Sequence, residues 1–233
     1  TPCEHSFPTR RSSDLNIHKI AILGIIGAAI GLNGYNFQRK LPFPQFYSEL
    51  ISLNISIVPR NERGYIAKKI QVFNNSVGYA SREVGGNLIV KEQWLEKPSW
   101  DIYILIDHNK NMEKIIYSFL ESSFEYMPYL GKNDHYANIT DVKVVGLKQI
   151  TSCKNISSLF VRDYFKIKET KKDLSNLEYK QIELWKYEER LPIALEARDN
   201  QYITIPFIFT NMNVEPKEKC KLFSDAEKTL FFF

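Results

Sequence analysis

The chain has 233 residues, of which 44% are hydrophobic, so it has enough apolar material for one large domain or two small ones. Its net charge of +4 permits a polyanionic partner without requiring one. Three cysteines without a Cys-x-x-Cys spacing exclude a disulfide framework and favour reduced thiols.

The first fifteen residues do not read as evolved protein sequence. Residues 5–15 match, codon by codon, the translation of a common short-read sequencing adapter, so we predict that residues 1–15 are an artefact. Taken as real, residues 9–12 and the apolar run after them would imitate a twin-arginine export signal. Without them, we expect a cytoplasmic protein that has lost its native N-terminus.

An apolar run follows over residues 20–32, and its 13 residues fall short of the roughly 20 that a bilayer span needs. Gly24, Gly27 and Gly31 recur three or four residues apart and form a stripe of small residues on a helix. We therefore predict a buried helix over residues 18–32 that packs closely against a sheet, and no membrane partner. The glycines lie inside the helix and no Gly-Lys-Ser/Thr follows, which disfavours a phosphate-binding loop.

A shorter helix over residues 44–53 and a half-buried strand over 53–58 come next. Two extended arms, residues 65–73 and 87–95, then flank a middle rich in Gly, Asn and Ser. We predict a long β-hairpin, or thumb, over residues 64–97, which carries the cations Lys68, Lys69, Arg82 and Lys91.

The pattern then predicts a buried strand over residues 101–106, an amphipathic helix over 112–122 and a strand over 140–147. If one strand is supplied before Ile17, the order becomes β-α-β-β-α-β, the ferredoxin-like split unit. We therefore predict an α+β fold with a ferredoxin-like domain over residues 16–150, whose first strand has been lost.

A charged segment at residues 166–172 precedes a second region. Strands predicted over residues 180–192, 201–209 and 219–223, with a hairpin turn at Asp199-Asn200, indicate a small β-rich C-terminal region over residues 151–233.

The 126–137 segment is the strongest candidate for a binding site. It combines tyrosines with a flexible Gly131, followed by Lys132, Asn133, Asp134 and His135. Backbone donors, a cation and an imidazole in one loop suit contacts with phosphates or bases. An ordinary turn, in which Asn and Asp bond their own backbone, is equally compatible with this composition.

His18 and Lys19, at the start of the first helix, form a second candidate anion site. His108 and His135 show no metal-ligand spacing, and no nucleophile–base pattern appears. We predict no metal, no cofactor and no catalytic residue.

Three stretches resemble the CRISPR-associated family five proteins of subtype I-B, which are RAMP subunits of the Cascade complex: residues 18–32 (HKIAILGIIGAAIGL), 86–95 (GNLIVKEQWL) and 128–135 (PYLGKNDH). The resemblance covers most of residues 17–147, and its last stretch is quite specific. It implies a ferredoxin-like (RRM/RAMP) domain with a thumb and a variable β-rich C-terminal region. The family's opening strand is replaced here by residues 1–15.

The resemblance also implies a non-catalytic subunit for antiviral defence that binds the 5′ handle of the CRISPR RNA and caps the backbone filament. The implied partners are the CRISPR RNA, the Cascade backbone and large subunits and, indirectly, target DNA. The RNA-binding residues that we expect are His18, Lys19, Lys68, Lys69, Arg82, Tyr129, Lys132, Asn133 and His135. As an alternative, relatives in another subtype cleave CRISPR RNA without metal, and Tyr129, Lys132 and His135 are the clustered candidates for such an endoribonuclease.

Overall fold

The computed structural model describes residues 16–76, 78, 82, 84, 86–168, 183–217, 220–225 and 227–233. The predicted adapter segment at residues 1–15 lies outside the described residues, as do residues 169–172 of the predicted charged segment. The described residues form a mixed fold of a few helices and many antiparallel strands, which confirms the predicted α+β class.

The helices are α1 (Lys19–Ala29), α2 (Gln45–Leu50) and α3 (Met112–Leu120). The strands are β1 (Ile55–Pro59), β2 (Lys68–Asn74), β3 (Ile89–Leu95), β4 (Trp100–Ile104), β5 (Lys148–Ile150), β6 (Phe160–Val161), β7 (Phe165–Lys168), β8 (Lys186–Leu195), β9 (Tyr202–Thr210), β10 (Asn213–Pro216), β11 (Lys221–Ser224) and β12 (Thr229–Phe232).

Helix α1 is buried as predicted, but its glycine stripe meets another helix. A Cβ atom on Gly27 would lie 2.6 Å from Cβ of Phe46 in α2, so only glycine permits this close crossing. The helix ends at Ala29, and Gly31, two residues later, has a φ of +75° that suits glycine. Leu32 N–H donates to the Gly27 carbonyl at 2.8 Å and Gly31 N–H to that of Ala28 at 3.2 Å, a Schellman motif. Gly27 therefore serves helix packing, and Gly31 serves helix termination.

No helix among the described residues combines the length and apolar character that crossing a membrane requires.

Strands β1 and β4 pair antiparallel, with Ile57 opposite Ile102. All five residues of β1 are buried, including Ser56, so the half-buried strand predicted there is wrong. Ile57 packs in the main core beneath the helices, whereas Val58 packs on the opposite side against Leu230 of β12. Because both faces of β1 are covered, its polar–apolar alternation does not correspond to an exposed face.

The edge of β1 that faces away from β4 is also closed. Phe233 and Ile55 exchange two backbone hydrogen bonds of 3.0 and 3.1 Å, and Leu159 N–H donates to the Ile57 carbonyl at 2.8 Å. The C-terminal segments therefore complete β1 along its edge.

Strand β4 is more open than predicted. Ile102 is 37% exposed, and Ile106, just beyond the strand, is 53% exposed. The strand predicted over residues 140–147 is wrong, since residues 141–147 have no regular structure. Among the described residues, no backbone hydrogen bond joins residues 141–147 to another segment, so they lack the partner that a strand needs.

Strands β2 and β3 form the predicted hairpin, with Lys68 opposite Leu95 and Asn74 opposite Ile89. Because side chains alternate between the two faces of a strand, Lys69 shares one face with Trp94, while Lys68 lies on the other.

The C-terminal region consists of strands and short turns within the described residues. Strands β8 and β9 pair across a turn in which Asn200 has a φ of +58°, so the hairpin turn predicted at Asp199-Asn200 is confirmed. Phe160 and Phe207 belong to the same buried cluster as Ile20 and Leu23 of α1. The strands after residue 150 therefore share one hydrophobic core with α1 and β1.

Candidate nucleic-acid interface

The 126–137 loop folds back on itself through main-chain hydrogen bonds. Leu130 N–H donates to the His135 carbonyl at 2.7 Å, and His135 N–H donates to the Lys132 carbonyl at 2.9 Å. Ala137 N–H donates to the Pro128 carbonyl at 3.0 Å. These bonds hold Lys132 and His135 at the tip of a tight turn.

That turn docks on strand β3 of the hairpin. Lys132 forms an ion pair with Glu92, and the His135 ring lies edge-on to Trp94 with ring centroids 4.7 Å apart. Trp94 Nε1 donates to the same Glu92 carboxylate at 2.9 Å. We call these four residues the hairpin–loop junction.

At the junction, the cation is more exposed to solvent than the carboxylate with which it pairs. The Lys132 side chain is 45% exposed, but that of Glu92 is only 19% exposed. The hydrogen bond from Lys132, followed by the one from Trp94, lowers the pKa of Glu92. Glu92 therefore stays ionised at neutral pH and holds the ammonium group of Lys132 at the surface.

Other groups extend this surface. Lys69 lies opposite Trp94 on the same face of the hairpin and is exposed. Tyr129 and Tyr136 face each other across the loop as an isolated β-bridge, and both side chains are exposed. Exposed aromatic rings beside cations are suited to stacked bases and phosphates.

The structure brings together only some of the predicted RNA-binding residues. Tyr129, Lys132, Asn133 and His135 share the loop, and Lys69 lies on the adjoining face of the hairpin. Lys68 lies on the opposite face of the hairpin, and Arg82 is exposed in the connection between β2 and β3.

His18 and Lys19 lie apart from the junction. His18 is the N-cap of α1, since its Nδ1 accepts from Ala21 N–H at 3.2 Å, and its ring contacts Tyr202. Burial lowers the pKa of His18 to about 4. The imidazole is therefore neutral near pH 7 and fills the anion site predicted at this helix N-terminus.

Lys19 is buried, and its Nζ donates to the carbonyl of Phe233 at 3.2 Å. Burial, followed by the charge of Lys221, lowers the pKa of Lys19 to about 8. In this arrangement both His18 and Lys19 serve the fold.

Sequence reasoning missed Glu92 and Trp94, which anchor the loop. Glu92 and Trp94 are two residues apart on a predicted extended arm, so their side chains lie on the same face of the hairpin. This spacing was the only feature of the sequence that could have indicated them. Glu92 and Lys132 are 40 positions apart in the sequence, so their contact depends on the tertiary structure.

Among the described residues, no group of three or more His, Cys, Asp or Glu side chains is arranged to hold a metal ion. Comparison with protein-family models and with curated proteins gives no match for this chain.

Proposed function

We propose that this protein is a cytoplasmic subunit of a type I CRISPR interference complex, which holds the 5′ handle of the CRISPR RNA without cutting it. The observation that carries the proposal is the docking of the 126–137 loop on the hairpin. Two of the three stretches that resemble the CRISPR-associated family five proteins, residues 86–95 and 128–135, meet at this junction.

The proposal includes a ferredoxin-like RAMP domain in which the β2–β3 hairpin is the thumb. The order α1, β1, β4, α3, with β1 and β4 adjacent and antiparallel, supports it, because these are the inner four elements of the split unit. The exposed side chains of Ile70, Val72 and Ile89 on one hairpin face suit contact with a neighbouring Cascade subunit. The backbone and large subunits are the proposed protein partners, and target DNA is reached indirectly.

The chemistry of the junction suits binding of a single strand. Lys132 and Lys69 supply cations for phosphates, while Tyr129 and Tyr136 supply rings on which bases stack. Each stacked base contributes about 1–3 kcal/mol, so a few such contacts suffice for a short handle.

The same geometry favours binding of the RNA over its cleavage. A metal-independent nuclease needs a cation and a base that are free to act at the 2′-hydroxyl. Here Lys132 is paired with Glu92, and the His135 ring packs on Trp94. Incubation of the protein with CRISPR repeat RNA in EDTA is expected to leave the RNA intact. A discrete cut that is lost in His135→Ala would establish the nuclease instead.

Binding is tested by fluorescence anisotropy of the full chain with a labelled single-stranded RNA of about eight nucleotides. We expect Lys132→Ala to weaken binding severalfold and to reduce the slope of log K against log salt by about 0.7, the value for one lost phosphate contact on a single strand. Glu92→Gln keeps an acceptor for Trp94 and removes an anion, so it should tighten binding.

The matched control is Lys168→Ala, because Lys168 also pairs with a glutamate, Glu215 at 2.8 Å, and is similarly exposed. It should leave affinity and salt slope unchanged. If Lys132→Ala binds the RNA as tightly as the parent chain and with the same salt slope, the proposed interface is wrong.

A further inference from the structure

Asn33 connects the end of α1 to the start of α2. Its backbone N–H and its side-chain Nδ2 both donate to Gln45 Oε1, at 3.1 and 2.9 Å. Its carbonyl accepts from Phe46 N–H at 3.2 Å. The two helices are therefore joined through one asparagine, close to the point where Gly27 packs against Phe46.

The orientation of the Gln45 amide is fixed from two sides. A backbone N–H can only donate, so the Gln45 atom that faces Asn33 must be the oxygen. Gln45 Nε2 donates in turn to Glu49 Oε1 at 3.0 Å. The hydrogen bond from Gln45, followed by the one from Asn111, lowers the pKa of Glu49, so this carboxylate is ionised at neutral pH and can only accept. The side-chain group that Asn33 directs at Gln45 must therefore be a donor.

Asn33 is also the only asparagine in the chain that is followed by glycine. In such a pair the backbone nitrogen of the glycine can attack the asparagine Cγ, because the glycine has no side chain to obstruct the approach. The N–Cγ bond forms, the Cγ–Nδ2 bond breaks, and the side-chain nitrogen leaves as ammonia with the proton that the glycine nitrogen loses. Water then opens the cyclic imide at either carbonyl, which gives aspartate or isoaspartate. The reaction needs no oxidant and no reactant other than water.

The surroundings of Gly34 leave this reaction open. Asn33 is exposed, and within the part of the chain that the structure describes the Gly34 N–H makes no hydrogen bond. A Cβ atom on Gly34 would meet nothing within 4 Å, so the space beside this residue is open to water. The bond from Asn33 Nδ2 to Gln45 must break before Cγ can reach the nitrogen. Because that bond is exposed, water can replace it.

We propose that Asn33–Gly34 is a site of spontaneous deamidation and that the product weakens the contact between α1 and α2. An aspartate at position 33 would direct a carboxylate oxygen at Gln45 Oε1, so that two acceptors would face each other. Rotation of the Gln45 amide would lose the bond from the Asn33 N–H and turn its oxygen towards Glu49. The isoaspartate product adds one carbon to the main chain at the residue whose carbonyl accepts from Phe46. The proposal does not depend on RNA binding.

The site is tested by incubating the full chain at physiological temperature and mildly alkaline pH and following its tryptic peptides by mass spectrometry. Deamidation raises the mass by about 1 Da, and the peptide of residues 20–39 contains both Asn33 and Asn36. Fragment ions should place the gain on Asn33, in two products of equal mass. Asn36, which is exposed and precedes Phe37, is the internal control and should convert at least about tenfold more slowly. Equal conversion at the two asparagines would overturn the proposed site.

Gly34→Ala tests the identity of the attacking nitrogen. Gly34 has a φ of −90°, which any residue adopts, and the added Cβ would contact nothing, so the variant should keep the fold. It should slow the conversion of Asn33 by at least about tenfold, because the methyl group obstructs the attack. An unchanged rate in a variant with the parent's circular dichroism spectrum would overturn the proposed reaction.

Asn33→Asp tests the consequence for the fold, because it supplies the aspartate product directly. It should shift the midpoint of urea unfolding to a lower concentration. Asn36→Asp is the matched control, since it adds the same charge at an exposed position three residues away and should leave the midpoint unchanged. Equal midpoints for the two variants would overturn the proposed weakening of the α1–α2 contact.

Discussion

The neighbouring strands β1 and β4 have similarly apolar sequences but different surroundings. Strand β1 has β4 on one edge and the segments around Leu159 and Phe233 on the other, and both its faces are covered. Within the part of the chain that the structure describes, strand β4 pairs with β1 alone, and a cleft lies along its other edge. The difference shows that burial of a strand depends on its neighbours as much as on its own residues.

The same contrast separates two sides of the molecule. The closed side, around β1 and α1, contains the core, and there the candidate ligand groups His18 and Lys19 make internal contacts. The open side, around β4, contains the cleft and the hairpin–loop junction. The proposed RNA binding concerns the open side.

The largest effect is expected from a pair of isoleucines that face each other across the two strands. Ile57→Ala on β1 should lower the free energy of unfolding by about 3–4 kcal/mol, because the side chain is fully buried. Ile102→Ala on β4 should cost less than about 1.5 kcal/mol, since that side chain is 37% exposed. Urea unfolding followed by circular dichroism measures both. Equal losses would show that the two strands are equally closed.

Much of the fold could be predicted from local pattern. The apolar run around Ile22, the Gly-Asn-Ser-rich middle of the hairpin and the Asp199-Asn200 turn each indicate one local structure, and the structure contains all three. The closure of β1 could not be predicted, because it depends on Phe233, which is far away in sequence. The absence of a strand over residues 141–147 could not be predicted either, because apolar residues form a strand only when a partner strand lies beside them.

Only the loop half of the candidate site could be predicted from the sequence. The composition of the 126–137 loop indicated Lys132 and His135, but not their partners on the hairpin. At the anion site predicted at His18, the imidazole itself accepts the hydrogen bond that the Ala21 N–H would donate to a ligand.

The second expected effect concerns acid stability on the closed side. Burial holds the pKa of His18 at about 4 in the folded chain, against about 6.5 when unfolded, so the unfolded state binds a proton first as the pH falls. His18 should therefore cost roughly 1.5 kcal/mol of stability between pH 6.5 and pH 5. His18→Asn keeps a good N-cap and should remove this loss.

Urea unfolding at both pH values measures the loss. His108→Asn, at an exposed histidine, is the matched control and should leave the pH dependence unchanged. A His18→Asn chain with the parent's acid profile would show that α1 does not bury a neutral imidazole.

The smallest effect is expected from a charged pair on β4. Asp101 accepts from Lys228 Nζ at 2.9 Å and lies 3.5 Å from Arg60, and all three side chains are partly or largely exposed. The hydrogen bond with Asp101 raises the pKa of Lys228. Asp101→Asn should lower the free energy of unfolding by less than about 1 kcal/mol, because exposed ion pairs are screened by solvent. A loss of several kcal/mol in urea unfolding would mean that this part of β4 is closed.

The most direct test of the proposed function is photocrosslinking of the full chain to a short single-stranded RNA that carries 4-thiouridine, with the crosslinked peptides identified by mass spectrometry. The account predicts crosslinks on the open side, in peptides that contain Trp94, Tyr129 or Tyr136. Crosslinks confined to β8 and β9 on the closed side, or none under conditions in which the RNA binds, would contradict it.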